Sequence, residues 1–314
     1  MKLQDNSFSN SPLQGGRPWV ERNGFRHWAM AMLWIVAAFV LFQITATIVS
    51  IALFYFTGGF DSVTDPTELL MERLDLLFIG NSTGQILFLG LASYLMAGLH
   101  VSKSERASFL RFKKYKNTGV MVGLTALLFI VVQPTVWYIG YFNSLLPAPE
   151  FFSEMQQSQY EMIEGFLTSD GVLLMGLINI ALVPAICEEI MFRGYVQSAF
   201  EKSWGVWPAI LVSGLLFGLF HLQLTNLLPL ATLGILLALV TWLSGSLIPA
   251  IIAHFINNGS AVLLGTYYPE LAFAEMSPET APPIWMLLLS VVLSILLINM
   301  LYKQFQKKNA NGIF

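Results

Sequence analysis

Eight stretches of this chain run almost without charge: 29–56, 82–100, 118–142, 171–187, 205–221, 226–246, 248–265 and 283–302. A membrane-crossing helix needs about 20 mainly apolar residues, and most of these stretches approach or exceed that length. The chain as a whole is 55% hydrophobic and only 11% charged. Soluble domains carry roughly a quarter of charged residues, so this composition cannot cover a water-facing surface in the usual way. The expected fold is an all-α, polytopic membrane helix bundle of about eight transmembrane helices. Segment 29–56 is long enough to tilt or to project beyond the bilayer.

Lys and Arg in short loops set orientation. The N-terminal tail holds Lys2, Arg17, Arg22 and Arg26, and loop 101–117 holds Lys103, Arg106, Arg111, Lys113, Lys114 and Lys116. Segment 57–81 carries Asp61, Asp65, Glu68, Glu72 and Asp75 against Arg73, and 143–170 has five acids and no base. The tail after 302 has Lys303, Lys307 and Lys308. This alternation predicts cytoplasmic termini, with a cytoplasmic tail at 1–28, an integral domain at 29–302 and a second tail at 303–314. The polar N-terminus reads as a tail rather than a cleavable signal, which suits a multi-pass protein of an inner (plasma) membrane. Residues 150–168 are amphipathic enough for a helix lying on the membrane surface and would also serve as a solvated connector. A single cysteine, Cys187, permits no intrachain disulfide. The net charge of −3 is small; the lipid bilayer is an expected partner and nucleic acid is not.

Polar groups inside spans are costly, roughly 2.5–3.5 kcal/mol for an Asp, Lys or Arg, so the few present need a reason. Glu188, Glu189 and Arg193 end the fourth stretch, His221 ends the fifth, and His254, Asn257 and Asn258 lie in the seventh. Glu189 and Arg193 are spaced to pair along one helix face, and Glu188 is turned about 100° away from that partner. Phe217 and His221 share a face one turn apart, as do His254 and Asn258. A turn near "EKSWG" makes the fourth and fifth stretches a hairpin. Counted from that turn, Glu188 and His221 lie at similar depth, roughly 20–27 Å, so a carboxylate can face an imidazole. His254 matches that depth less well.

A carboxylate beside an imidazole suits the activation of water. A second imidazole and an amide suit an oxyanion that develops on a carbonyl. Glu188, His221 and His254 could instead bind zinc, as two His and one carboxylate do in catalytic sites, or relay protons in a transporter. A histidine in an apolar helix also serves plain packing, bonded to a backbone carbonyl, and Phe217 alone is ordinary core.

Taken in order, "EEIMFR", "FGLFH" and "HFINN" resemble the EExxxR, FxxxH and HxxxN motifs of the CPBP family. These intramembrane proteases include the CAAX prenyl endopeptidase and bacterial bacteriocin-processing or immunity homologues. The resemblance spans roughly 170–265 and implies a catalytic core there, acting on a membrane-associated protein or peptide. By motif position it implies Glu188 as the base that activates water, His221 assisting it, and His254 and Asn258 stabilising the oxyanion. Glu189, Arg193 and Phe217 would be supporting groups. No cofactor is expected, with zinc as the alternative. Asparagine is a poor zinc ligand and a good oxyanion donor. The competing expectation is a non-catalytic membrane scaffold, or an immunity protein that binds a partner.

Overall fold

The computed structural model describes residues 17–57, 73–274 and 276–310. Most of the N-terminal tail, and Asp61, Asp65, Glu68 and Glu72 of the acidic segment, lie outside these residues. The chain is 82% helical, and no strand occurs among the described residues. The principal helices are α1 (His27–Phe56), α2 (Leu74–Leu99), α3 (Thr118–Val131), α4 (Gln133–Ser144), α5 (Glu150–Leu167), α6 (Leu173–Trp204), α7 (Val206–Phe220), α8 (Leu227–Ser244), α9 (Ile248–Tyr267) and α10 (Ile284–Ala310).

Every expected apolar stretch is helical, but the count of spans is corrected. Six helices are long and apolar enough to cross a membrane, or seven if α3 and α4 make one bent span. Helix α7 is apolar but has only 15 residues. At 1.5 Å per residue that is about 22 Å, short of a hydrocarbon core of about 30 Å. The α3–α4 pair bends by 45° at Gln133–Pro134. Pro134 has no N–H to give Ile130, and its ring crowds that carbonyl, which is the ordinary cause of such a kink.

Helix α6 differs most from the sequence reading. The fourth stretch does not end at the glutamates; it continues to Trp204 as one 32-residue helical run. Residues 191–200 are all buried, and their polar members find partners across the bundle. Gln197 donates to Glu201 at 3.0 Å and to the Ala238 carbonyl at 3.1 Å, and Ser198 donates to the Phe109 carbonyl at 2.8 Å. The run is not uniform. Leu177–Leu182 and Ile190–Val196 are π-helical, on either side of the seven regular residues Val183–Glu189. Such widened turns concentrate at functional sites. Gly205, in a conformation with φ +81°, closes α6 and opens α7 at the expected turn.

Helices α7 and α8 touch through backbone rather than side chains. A Cβ on Gly234 would lie 2.7 Å from the Gly214 carbonyl oxygen, and one on Gly218 would lie 2.9 Å from the Ala231 nitrogen. Gly214 and Gly218 form the four-residue spacing of small residues that lets apolar helices approach closely. Gly234→Val should force the pair apart and destabilise the protein by about 3 kcal/mol. Thermal unfolding in detergent measures this, and a midpoint matching wild type would contradict the contact. Amphipathic α5 is a helix as expected, with Phe166 and Leu167 packed in a cluster with Leu74 and Val262.

Candidate active site

The helices converge on one polar chain through the apolar core. Glu189 and Arg193 are fully buried, and Arg193 Nη1 donates to Glu189 Oε1 at 2.9 Å along one face of α6. The other end of the guanidinium, Nη2, donates to the Gly234 carbonyl at 3.1 Å, which the close α7–α8 contact brings within reach. Phe217 lies under the same guanidinium, 4.3 Å from ring centroid to Arg193 Cζ. Its edges also meet both histidines, at centroid distances of 4.9 Å to His221 and 5.8 Å to His254. This explains an aromatic residue one turn before His221: it is the common wall of a cation and two imidazoles.

Glu189 has a second partner that counting along helices missed. His254 Nδ1 donates to the same Oε1 at 2.9 Å. Asn258 Nδ2 lies 3.3 Å from His254 Nε2 and donates to the Ile180 carbonyl at 3.1 Å. The proline at 184 accounts for that second bond, because it withholds the N–H that Ile180 would meet four residues on. Asn258 also receives a bond from Asn257 Nδ2 at 3.2 Å, and Asn257 receives one from Gln133 Nε2 at 3.1 Å. Donors and acceptors therefore run in one direction, from Gln133 through Asn257, Asn258 and His254 to Glu189. That direction fixes the His254 tautomer: Nδ1 carries the proton, and the Nε2 lone pair receives the Asn258 amide.

Glu188 is set apart from its neighbour. It is buried, and its Oε2 has no hydrogen-bond partner among the described residues. Its nearest cationic or imidazole nitrogen is His254 Nε2, 3.9 Å away, beyond hydrogen-bond length. The carboxylate expected to face His221 therefore faces His254 instead, and no hydrogen bond or ion pair among the described residues joins Glu188 to His221. His221 Nδ1 donates to the Phe217 carbonyl at 2.8 Å, which leaves Nε2 as its acceptor.

A cavity of about 40 Å³ is lined by Phe217, His221, His254, Asn257 and Asn258, together with Phe129 and leucines of α8. That volume holds water, since one molecule needs about 10–15 Å³ of such space. It gathers both imidazoles and both amides, while Glu188 is not on its wall. Zinc would require three ligand atoms at about 2.0–2.2 Å from one point. No group of three His, Cys, Asp or Glu side chains among the described residues is placed to share an ion, so Glu188, His221 and His254 do not fit the metal as they stand. Cys187 is a buried free thiol, packed where a Cβ on Gly90 of α2 would meet its sulfur at 3.3 Å.

Leu222, directly after His221, has φ +56°, a left-handed conformation that a branched side chain rarely adopts. Leu222→Gly should relieve about 1 kcal/mol of local strain and raise the unfolding midpoint. A lowered midpoint would show that Leu222 packing outweighs the strain.

Sequence reasoning did not select Gln133 or Ile180. The available signals were a glutamine next to proline inside an apolar run, and a proline one turn after Ile180.

Residues 170–260 match the family model described as type II CAAX prenyl endopeptidase Rce1-like. A curated relative, an uncharacterized 24.3 kDa protein of Escherichia coli, is 30% identical over 157 residues, which cover 48% of this chain and 66% of that protein. The match thus spans a little under two thirds of the relative's length. No solved structure matches the chain. Residues 170–260, which carry the three motifs in order on α6, α7 and α9, are thus similar to the Rce1-like type II CAAX prenyl endopeptidases, a match that supports a CPBP family intramembrane protease.

Proposed function

We propose that the protein is an intramembrane endopeptidase that hydrolyses peptide bonds of membrane-associated proteins or peptides, using a water activated by Glu188. The observation that carries this reading is the division of labour between the adjacent glutamates. Glu189 is neutralised and held by Arg193 and His254, whereas Glu188 is buried with an unpartnered oxygen. A buried carboxylate without a cation is a proton acceptor in want of a donor.

Glu188 takes a proton from water as the water oxygen bonds to the substrate carbonyl carbon. The carbonyl electron pair moves to oxygen, where Asn258, held by His254, turns to the charge the N–H that otherwise rests on the Ile180 carbonyl. His254, its Nδ1 proton bonded to Glu189, orients the Asn258 amide through its Nε2 lone pair. When the intermediate collapses, the C–N bond breaks and the proton passes from Glu188 to the leaving amine. His221 Nε2 accepts a hydrogen bond from the water and orients it. No step is assigned to a metal, because the donor set does not converge on one. The working location is a plasma membrane with both termini in the cytoplasm, an arrangement that the six long helices satisfy by their even number.

A second reading, a non-catalytic scaffold or partner-binding immunity protein, is favoured by one observation: Glu188 is not on the cavity wall. The deciding assay is cleavage of a membrane-peptide library by the purified protein in proteoliposomes, beside His254→Ala, each with and without a strong chelator. Cleavage by wild type that ignores the chelator and vanishes in His254→Ala is expected. Cleavage that survives in His254→Ala would refute the assignment, and loss with chelator would restore the metal.

A further inference from the structure

A second, larger cavity lies at the Gln133 end of the polar chain. It measures about 350 Å³ and is lined by Gln133, Trp137, Pro229, Met276 and Met286, among others. That size falls within the range of about 300–1,000 Å³ typical of ligand sites, which are mostly apolar with a few placed polar groups. The two methionines are adaptable walls, suited to apolar groups of varied shape.

Its position ties it to the catalytic cavity. Gln133 stands in its wall and donates to Asn257, which lines the smaller cavity. Pro229 of α8 belongs to the larger cavity, and Leu230, the next residue, to the smaller. Gln133 is exposed, and both of its N–H groups are used, on the Phe129 carbonyl at 2.7 Å and on Asn257. Its Oε1 has no hydrogen bond among the described residues, and an exposed amide at the bend of an apolar helix pair calls for a reason. A third cavity of about 200 Å³ shares Pro134 and Met286 with the large one and is bordered by exposed Trp285 and Leu289. This gives an apolar route from the flank of α10 to Gln133.

We propose that the 350 Å³ cavity is a specificity pocket that takes one bulky apolar side chain of the substrate beside the scissile bond. Gln133 Oε1 accepts a hydrogen bond from the adjoining substrate N–H. The proposal rests on the proteolytic reading above and adds to it a side-chain preference and the residues that set it. The occupant is a substrate side chain rather than a bilayer acyl chain because the polar wall shared with the catalytic cavity offers an acceptor that an acyl chain cannot use.

Gly140 supplies the test. A Cβ there would sit 3.1 Å from Met276 Sδ and 3.5 Å from Pro229 Cγ, so Gly140→Leu drives side chains into the pocket. The assay uses paired membrane peptides that differ only in Leu or Ala at each position flanking the cleaved bond, in proteoliposomes. Wild type should favour leucine at one of these positions by about tenfold in kcat/KM, the discrimination an apolar pocket supplies. Gly140→Leu should erase that ratio, and Met286→Trp, filling from the opposite wall, should do the same if the first variant does not insert. Gln133→Leu should slow both peptides alike and leave the ratio intact. Partial unfolding lowers both rates together, so only a filled pocket moves the ratio. Cleavage in which both filled variants keep the wild-type preference would overturn the pocket alone. A wild type that cleaves no peptide would overturn the proteolytic reading and the pocket with it.

Discussion

Exchanging Arg193 for methionine is expected to destabilise the protein by about 3–5 kcal/mol, the usual result of stranding one partner of a buried ion pair. Glu189 is wholly buried and takes its charge-balancing bond from Arg193. Without the guanidinium, Glu189 keeps one bond from a neutral imidazole, and the Gly234 carbonyl loses a donor. The Phe217 ring loses the cation over its face as well. The same substitution should abolish activity, because a charged Glu189 would pull the proton balance of His254 with it. Arg193→Lys should recover part of the loss, since one ammonium cannot reach both acceptors as the fork does. The double variant Arg193→Met with Glu189→Leu should regain much of the stability, because an apolar pair of similar volume often replaces a buried ion pair at little cost. It should regain no activity, as His254 would then lack its orienting carboxylate. Unfolding midpoints of the four proteins in one detergent decide the matter. A single variant as stable as wild type would mean that the pair is hydrated rather than buried.

The apolar stretches, the hairpin at Gly205 and the Glu189–Arg193 pair are all readable from residue order, because each depends on local periodicity. The continuity of α6 is not. Hydropathy treats Glu188, Glu189 and Arg193 as the end of a span, whereas their acceptance depends on Phe217, Gly234 and His254 from other helices. The pairing of Glu188 with the wrong histidine has a related cause. Depth was counted at a constant rise per residue, but the π turn Ile190–Val196 lies between Glu188 and the Gly205 turn and shifts the face that each later residue presents. Counting gives height along a bundle, and a widened turn changes rotation. Gln133 was invisible for another reason. Its role comes from Asn257, 124 positions away, and from a kink whose angle no local pattern specifies. The motifs nevertheless named the residues that the fold gathers around one point: His221, His254 and Asn258 on a single cavity, with Glu188 adjoining His254.

Glu188→Gln should separate activity from stability. In the proposed role of base Glu188 would contribute about 10²–10⁴-fold to cleavage, and the amide that replaces it cannot take a proton from water, so the cleavage rate should fall by at least the lower figure. The unfolding midpoint should rise or stay level. Wild-type Glu188 keeps an ionisable oxygen buried without a donor, and a neutral amide of the same shape is less costly to bury. Strained or unpaired groups are retained where chemistry needs them and relax when the need is removed. Glu189→Gln supplies the contrast. That change withdraws charge from Arg193 and His254 together and should lower the midpoint sharply. Of two adjacent, buried, isosteric substitutions, only the one at Glu189 would then lower stability. A shared drop in midpoint would mean that Glu188 is a structural anchor like its neighbour, and the base would have to be sought at His221, whose Nε2 is the remaining acceptor on the cavity.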